Sequence, residues 1–489
     1  MMNELLTHHW IDGQPYSGGK PVPVVNPATG AQLGEVLLGD AEVVERAVAS
    51  AQAAFPKWRN TPVSRRAQVL YAFRDQLRAH VDELAELISA EHGKTVDDAR
   101  GEMARGIEVV ELACGVPGLL KGEFGEQTAT NLDTFSMLQP LGVCVGVTPF
   151  NFPVMIPLMK MAVAVAAGNT FILKPSEQDP GAAVRLAELA KAAGLPDGVF
   201  SVVHGGQDVV EALIDHPDTT AVSFVGSTPV AHSIYRRGAA AGIRVQALGG
   251  AKNHLVVMPD ANVGFTADAL AAGAFGAAGQ RCMAVTTAVL VGDGADEVVE
   301  AVRLRAEGMI LGAGSDPATQ VGPLISAAAK ERVQSMVARA IDAGAKPVVD
   351  RSTEVVPGHE GGFFVGPTLL DHVTPTSEIY LQEVFGPVLI VLRVNTLDEA
   401  LELIRTNRYG NGAAIFTASG TAARRFQRDA QAGMVGVNVP IPVPVAPFGA
   451  GGWNDSVFGD TGLSNAAWRF YTQPKYVTAR WDEQVGRDS

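Results

Sequence analysis

Cysteine is scarce in this sequence. Cys114, Cys144 and Cys282 are its three, far apart and without a Cys-x-x-Cys pair, which excludes a disulfide framework and a zinc knuckle; no metal site is expected. A long uninterrupted hydrophobic run is missing too. The stretch from Pro153 to Leu173 has about the length of a membrane span, but Lys160, Gly168 and Asn169 break it and it is rich in Ala and Met. It reads as a buried helix followed by a buried strand. Between Met1 and Gly13 no basic region precedes an apolar one, so no secretory signal is expected, and a soluble, cytoplasmic chain with reduced thiols is. Positive charge is in deficit. With 38 Lys+Arg against 52 Asp+Glu the net charge is −14, which repels nucleic acid and anionic membrane and leaves a small molecule as the default partner. An anionic ligand would need a local cluster of cations. Internal repeats and low-complexity segments are also absent.

What is present is a large core. At about 150 residues per domain, 489 residues imply more than one domain, and 47% hydrophobic residues with 53 Gly and 29 Pro suit a globular enzyme rich in turns. Leu70, Phe73, Leu77, Val81, Leu84 and Ile88 recur at steps of three and four, which predicts one amphipathic helix stopped by Gly93. From Leu141 short apolar runs alternate with helical patterns. Leu141 to Thr148, Thr170 to Lys174, Val199 to His204 and Ala221 to Val225 read as buried strands, and Pro153 to Gly168 and a stretch ending at Ala193 as helices. Such alternation predicts parallel βαβ units, whose ligands lie beyond the carboxyl ends of the strands. The second half repeats the pattern less regularly, with strand-like Ala284 to Val291 and Val388 to Val394 around helices such as Ala327 to Ala343. Glu123 to Gln139 and Arg469 to Trp481 are polar and strand-like; a long open edge needs cover, so they are expected to pair with another subunit.

Several residues can carry chemistry. Cys282 lies in Gly279-Gln280-Arg281-Cys282-Met283-Ala284, just before a strand. A lone cysteine is usually inert packing, but the neighbouring Arg281 could favour a thiolate and Ala277-Ala278-Gly279 permit close approach of backbone or ligand. Cys114 and Cys144 sit in apolar patterns and belong to the core. Asn151, in Thr148-Pro149-Phe150-Asn151-Phe152-Pro153, is either a turn residue or an amide donor to an oxyanion. Lys174-Pro175-Ser176-Glu177 ends a strand and opens a helix, where Lys and Glu could bond a ribose; a carboxylate there repels a 2′-phosphate and favours NAD over NADP.

Phe150-Asn151, Lys174 to Glu177, Phe224-Val225-Gly226-Ser227-Thr228, Leu248-Gly249-Gly250, Gln280-Arg281-Cys282 and Glu383-Val384-Phe385-Gly386-Pro387 together resemble the NAD-dependent aldehyde dehydrogenases, in order and over nearly the whole chain. Gln246 to His254 and Val435 to Val445 look like the CoA-acylating methylmalonate-semialdehyde (malonate-semialdehyde) dehydrogenase branch. The resemblance implies an α/β fold: a Rossmann-type parallel-sheet NAD domain (1–122 and 140–247), an α/β catalytic domain (248–445), and β oligomerisation or bridging segments (123–139 and 446–489). It implies a homotetramer, a dimer of dimers, with NAD as cofactor and coenzyme A as cosubstrate.

It also implies roles. Cys282 adds to the aldehyde, and the Asn151 side chain and the Cys282 backbone N–H hold the oxyanion before a thioester is left. Thr148, Phe150, Lys174, Glu177, Gln178 and Ser227 fall on the adenosine and pyrophosphate side of NAD, and Gly249, Glu383 and Phe385 near the nicotinamide half. Arg105 and Arg281 bind a substrate carboxylate bidentately; for Arg105 the alternative is a pair with Glu102 or Glu108 on its own helix. Hydrolytic members carry a glutamate at the position of Ala247, as the base that activates water. Its loss disfavours hydrolysis and leaves deacylation to a thiol, which is a strong nucleophile without a base, unless another carboxylate serves. The implied reaction is oxidation of methylmalonate or malonate semialdehyde to propionyl-CoA or acetyl-CoA with release of carbon dioxide; the alternatives are a hydrolytic NAD-dependent dehydrogenase for another acidic semialdehyde and a catalytically silent relative. Two departures stand out. Gln280 replaces the family's usual Glu beside Arg281, removing a charge that could orient the arginine, and the turn after Gly452-Trp453 lacks the family's histidine, which bears on the pocket mouth or a subunit contact.

Overall fold

The computed structural model describes residues 5–481; residues 1–4 and 482–489, the last part of the 446–489 segment, lie outside the described residues. Each half of the chain is organised on its own sheet. The first is 8-stranded, in the order Val457–Gly459, Arg244–Leu248, Thr219–Val225, Val143–Val147, Thr170–Lys174, Phe200–Val202, His9–Ile11, Gln14–Tyr16. The strands from Arg244–Leu248 to Phe200–Val202 run parallel, and antiparallel strands flank them. Val143–Val147 and Thr170–Lys174 are buried at every position, as continuous apolar runs in a sheet covered on both faces must be. From Val143–Val147 the chain builds outward on one side, then returns to lay Thr219–Val225 on the other. Its topological switch therefore lies between Val147 and Val225, where such sheets bind ligands.

The second sheet is 7-stranded and centred on Asn253–Val257, Val285–Val291 and Val388–Val394. Its parallel strands also read as buried β-branched runs. Helix Ala327–Asp342 matches the expected span. The pattern from Leu70 to Ile88 does not form one helix: Val63–Ala79 and Val81–His92 are separate, broken at His80 (φ −118°, ψ 23°). The His80 ring nitrogen bonds Gln76 O at 2.7 Å and both helices present their apolar positions to the same core, so periodicity alone hides the break. Gly93 ends the second helix at φ +90° as expected.

The strand-like extensions form a 3-stranded sheet, in the order Thr472–Arg480, Leu132–Pro140, Phe124–Ala129. Thr472–Arg480 runs antiparallel to Leu132–Pro140 of its own chain, from Thr472 opposite Pro140 to Arg480 opposite Leu132, so the tail and the hairpin pair with each other. Residues 469–470 belong to a short helix, Ala467–Phe470, instead of the strand. Val457–Gly459, in the segment assigned to bridging, completes the first sheet beside Arg244–Leu248. No helix among the described residues is long and apolar enough to cross a membrane.

Candidate active site

Cys282 stands at the amino end of Val285–Val291, in a loop that the second sheet aims at the carboxyl ends of the first. The loop is conformationally forced. Ala277 and Ala278 adopt φ of +50° and +52°, a left-handed conformation that costs alanine energy. At Gly279 (φ +69°) a Cβ would meet Gly386 O at 2.1 Å, so only glycine allows the close backbone approach expected here. Asn253 Nδ2 donates to Cys282 O at 2.9 Å and Asn411 Nδ2 donates to it at 3.1 Å. Two amides from neighbouring strand starts thus fix the carbonyl of Cys282.

Cys282 as a residue is half-buried. Burial and, second, the charge of Glu383 push its thiol up to about 11. Arg281 does not favour a thiolate, because its guanidinium turns away onto Asp98 at 2.6 Å. Nor does Gln280 face Arg281: its amide accepts from Ile325 N at 3.0 Å and donates to Pro323 O at 3.4 Å, so it ties the loop to the 323–325 segment. Cys144 is buried, with its thiol pushed up to about 12 by burial, and the buried Cys114 is pushed up to about 11. Both behave as core residues.

Asn151 comes from the other half of the chain. Its Nδ2 donates to Gln280 O at 3.0 Å, so the amide lies across the Cys282 loop, two residues before Cys282. What holds Asn151 is a buried pair invisible in sequence. Lys94 Nζ donates to Glu102 at 2.8 Å and to Asn151 O at 2.5 Å. The other oxygen of Glu102 accepts Val154 N and Met155 N at 2.7 and 3.0 Å. Helix Met155–Ala167 has no side-chain cap of its own, so a carboxylate from helix Val96–Cys114 satisfies its first free N–H groups.

Thr148, Phe150, Lys174, Glu177, Gln178 and Ser227 line one cleft of about 540 Å³ at the switch point of the first sheet. Lys174 Nζ bonds Glu177 at 3.1 Å. The buried Thr148 hydroxyl has no hydrogen-bond partner among the described residues. A dinucleotide fits this lining: a lysine–glutamate pair for ribose hydroxyls, an orphan hydroxyl, and Ser227 at the start of helix Thr228–Ala240, whose N–H groups suit a phosphate. Ser227 also borders a second cleft, of about 510 Å³, that contains Glu383. Burial pushes Glu383 up to about 7; it accepts Ala251 N at 3.0 Å. Its other oxygen would lie 2.5 Å from a Cβ at Gly250, so glycine there makes room for the carboxylate. Phe385 meets the Phe150 ring edge-on, with centroids 5.8 Å apart.

Cys282 opens on a separate cavity of about 80 Å³, lined by Gly249, Leu248, Met159, Lys160, Val443 and Leu463 among others. Gly249 thus shares this cavity with Cys282, and Val225 borders both this cavity and the 540 Å³ cleft. Neither predicted substrate arginine lines the cavity. Arg105 donates to Glu108 at 2.8 Å, the alternative weighed for it, and to Val443 O at 2.9 Å, which places it just behind the wall. Ala247 points its methyl into the core with Val147, Phe224 and Val245 and presents no carboxylate. The altered turn does reach the pocket: Gly451, Ser456 and Leu463 are part of its wall. Sequence reasoning missed Asn253, Asn411 and the Lys94–Glu102 pair, and treated Lys160 only as an interruption. One signal existed for Lys160: a helix apolar on all sides must bury any lysine it carries.

A model of the aldehyde dehydrogenase family matches residues 10–477. Malonate-semialdehyde dehydrogenase of Pseudomonas aeruginosa is 48% identical over 485 residues, covering 99% of this chain and 98% of that protein. The mitochondrial acylating methylmalonate-semialdehyde dehydrogenase of Arabidopsis thaliana is 50% identical over 466 residues, covering 94% of this chain and 76% of that protein. Among solved structures, the methylmalonate-semialdehyde dehydrogenase of Oceanimonas doudoroffii superposes with a TM-score of 0.97 at 48% identity, covering 98% of this chain and 99% of that one. A Sinorhizobium meliloti protein provisionally described by the same activity, and complexed with NAD, gives 0.97 at 45% identity with 99% of each chain covered.

Proposed function

We propose, from the premise that this chain belongs to the aldehyde dehydrogenase family, that it oxidises malonate or methylmalonate semialdehyde with NAD and coenzyme A to acetyl-CoA or propionyl-CoA and carbon dioxide. The observation that carries the acylating half is Ala247: where hydrolytic members hold the carboxylate that activates water, this chain has a methyl group packed in its core. The small cavity suits the substrate. At about 10–15 Å³ for each water-sized group, about 80 Å³ holds a chain of a few heavy atoms.

In the reaction, Cys282 Sγ passes its proton to water as it adds to the aldehyde carbon, and the Asn151 amide donates to the oxygen that becomes negative, leaving its bond to Gln280 O. Thr148, Phe150, Lys174, Glu177, Gln178 and Ser227 would hold NAD, with Gly249, Glu383 and Phe385 toward its nicotinamide half, and the bound cofactor would supply the acceptor for the hydride. The acyl group then rests on Cys282 as a thioester. Coenzyme A sulfur attacks that carbonyl, Cys282 leaves, and the substrate carboxylate departs as carbon dioxide while a proton takes its place on carbon. Arg105 and Arg281 belong to the rim in this reading, where each exchanges its protein partner, Glu108 or Asp98, for the incoming carboxylate. An unchanged KM for acidic aldehydes in Arg105→Ala would remove it from the site. The tetramer and the cytoplasmic location are part of the same proposal. Supporting the first, Phe124, Tyr476 and Trp481 on or beside the 3-stranded extension are 68%, 73% and 66% exposed in the single chain, an apolar surface that subunit contact would cover.

The test follows NADH and products together. Incubation with each semialdehyde, NAD and coenzyme A is expected to yield acetyl-CoA or propionyl-CoA by mass, with turnover that needs the thiol. Steady NADH formation indifferent to coenzyme A, with a free acid as product, defeats the acylating reading.

A further inference from the structure

Strand Asn253–Val257 opens with side chains that alternate in direction, as strand geometry requires, and each direction leads to a different partner. Asn253 turns toward the Cys282 loop, donating to Cys282 O and Ala284 O, both at 2.9 Å. Its two neighbours turn the other way. Lys252 Nζ donates to Ile379 O at 2.5 Å and to Gln382 O at 2.9 Å, and His254 Nε2 bonds the Tyr380 hydroxyl at 3.0 Å. These partners lie on the short helix Glu378–Leu381 and the residue after it, which leads straight into Glu383. One position earlier, Ala251 N donates to the Glu383 carboxylate at 3.0 Å. Four consecutive residues, 251 to 254, thus hold both the Cys282 loop and the turn that carries Glu383.

Lys252 is the member that packing does not explain. It is buried, both of its bonds go to neutral carbonyls, and the carboxylate of Glu383 acts on it only through space. A buried ammonium held by carbonyls alone is destabilising, and an apolar side chain of the same length would lift that penalty; burial accordingly pulls Lys252 down to about 7. The position of its partners accounts for the lysine. Gln382 O belongs to the peptide that joins Gln382 to Glu383, so holding it sets the direction in which the Glu383 side chain leaves the backbone. Glu383 and the thiol face a common space, since the charge of Glu383 is felt at Cys282. Transfer between two bound groups depends on their relative placement, and an error of about 1 Å can cost roughly 100-fold. We propose that Lys252 is a positioning residue for Glu383: through the Gln382 carbonyl it keeps that carboxylate at a fixed place relative to Cys282, and so keeps the nicotinamide half of the cofactor in line with the thiol-bound substrate. The inference rests on the reading above that Glu383 meets the nicotinamide half of NAD. Lys252 acts only through Glu383, since it lines none of the clefts described.

Lys252→Met, which has no donor, and Lys252→Gln, whose donors end one bond short, are each first checked for an intact thermal transition. They are then titrated with NAD and with ADP, which lacks the nicotinamide half, and the first-turnover burst of NADH is timed with malonate semialdehyde at saturating NAD. Kd for NAD is expected to rise roughly 10-fold while Kd for ADP stays within about twofold, and the burst rate is expected to fall roughly 100-fold. Glu383→Gln is the control and should shift the NAD-to-ADP ratio in the same direction. Equal weakening of both nucleotides in the Lys252 variants marks a loosened fold and overturns the inference, as does an unchanged burst rate. A ratio within about threefold of the wild type in the Lys252 variants, with Glu383→Gln shifting it, defeats Lys252 alone. A ratio unmoved in Glu383→Gln defeats the placement of Glu383 at the nicotinamide half, and the inference with it.

Discussion

At the scale of single residues, the geometry asks most of Asn151. Its amide is 3.0 Å from Gln280 O, and an oxyanion formed at Cys282 competes for the same donor. Losing one oxyanion donor costs about 3–4 kcal/mol of transition-state stabilisation. Asn151→Ala is therefore expected to lower kcat by roughly 100- to 1000-fold, with NAD affinity, measured by quenching of protein fluorescence, changed far less. A similar loss in NAD affinity would show instead that Asn151 shapes the cofactor cleft. Cys282 and Asn151 were readable because each sits in a short motif at a strand end, where local sequence and chemistry coincide. Lys160, Asn253 and Asn411 were not, since what matters about them is the partner across space: Ser223, and a carbonyl that belongs to Cys282. Arg281 shows the converse error. Adjacency to the cysteine suggested an electrostatic role, but a side chain beside another in sequence faces wherever its own best partner lies, here Asp98.

Elements were legible where burial alone defines them. Four of the five parallel strands of the first sheet fall within a residue or two of the apolar runs that predicted them, because a strand covered on both faces needs an unbroken apolar sequence; Arg244–Leu248, which carries Arg244 and Gln246, was not predicted. The break at His80 and the partner of the Thr472–Arg480 strand escaped, as neither alters a periodicity. The joint between helices Val96–Cys114 and Met155–Ala167 was also hidden, and Glu102 is its centre. This carboxylate is fully buried, pairs with Lys94 and receives two N–H groups from the second helix. Removing one partner of a buried ion pair costs about 3–5 kcal/mol, because the other charge is stranded. Glu102→Ala should lower the urea midpoint accordingly and reduce kcat by releasing the Asn151 loop. Replacing Lys94 and Glu102 together by Met should recover part of the stability but not the rate. If the double variant is no more stable than Glu102→Ala, the stranded charge is not the cause.

For the whole molecule, buried acids set a pH dependence of stability. Glu91 accepts Gly181 N, and burial pushes it up from 4.5 to about 7; Asp179 is pushed well above its ordinary range by burial and by the nearby Glu91. A folded-state pKa raised above the unfolded one means that the native state holds the extra proton. The contribution is full below about pH 4.5 and is lost as pH rises through about 7, a swing of about 3 kcal/mol for Glu91 alone. Lys160 and Lys252, both pulled down to about 7, act in the other sense, stability rising above pH 7 as the native state releases their protons first. Comparison with Glu91→Gln isolates the acid. That variant should match the wild type near pH 5 and exceed it in thermal midpoint near pH 8; identical pH profiles would show that Glu91 is ionised in the fold. Two α/β halves facing each other were apparent from the alternation of runs, whereas the way the chain's late segments return to its early ones was not. Val457–Gly459 closes the edge of a sheet whose other edge is Gln14–Tyr16, and Thr472–Arg480 zips onto a strand more than three hundred residues earlier. On the ribosome, therefore, the half built on the first sheet cannot finish folding when its own early strands have been made. It waits with one sheet edge and one hairpin edge open until residues 457–480 emerge, so the nascent chain carries its exposed strand edges through the synthesis of the whole second half, the interval in which chaperone shielding counts most.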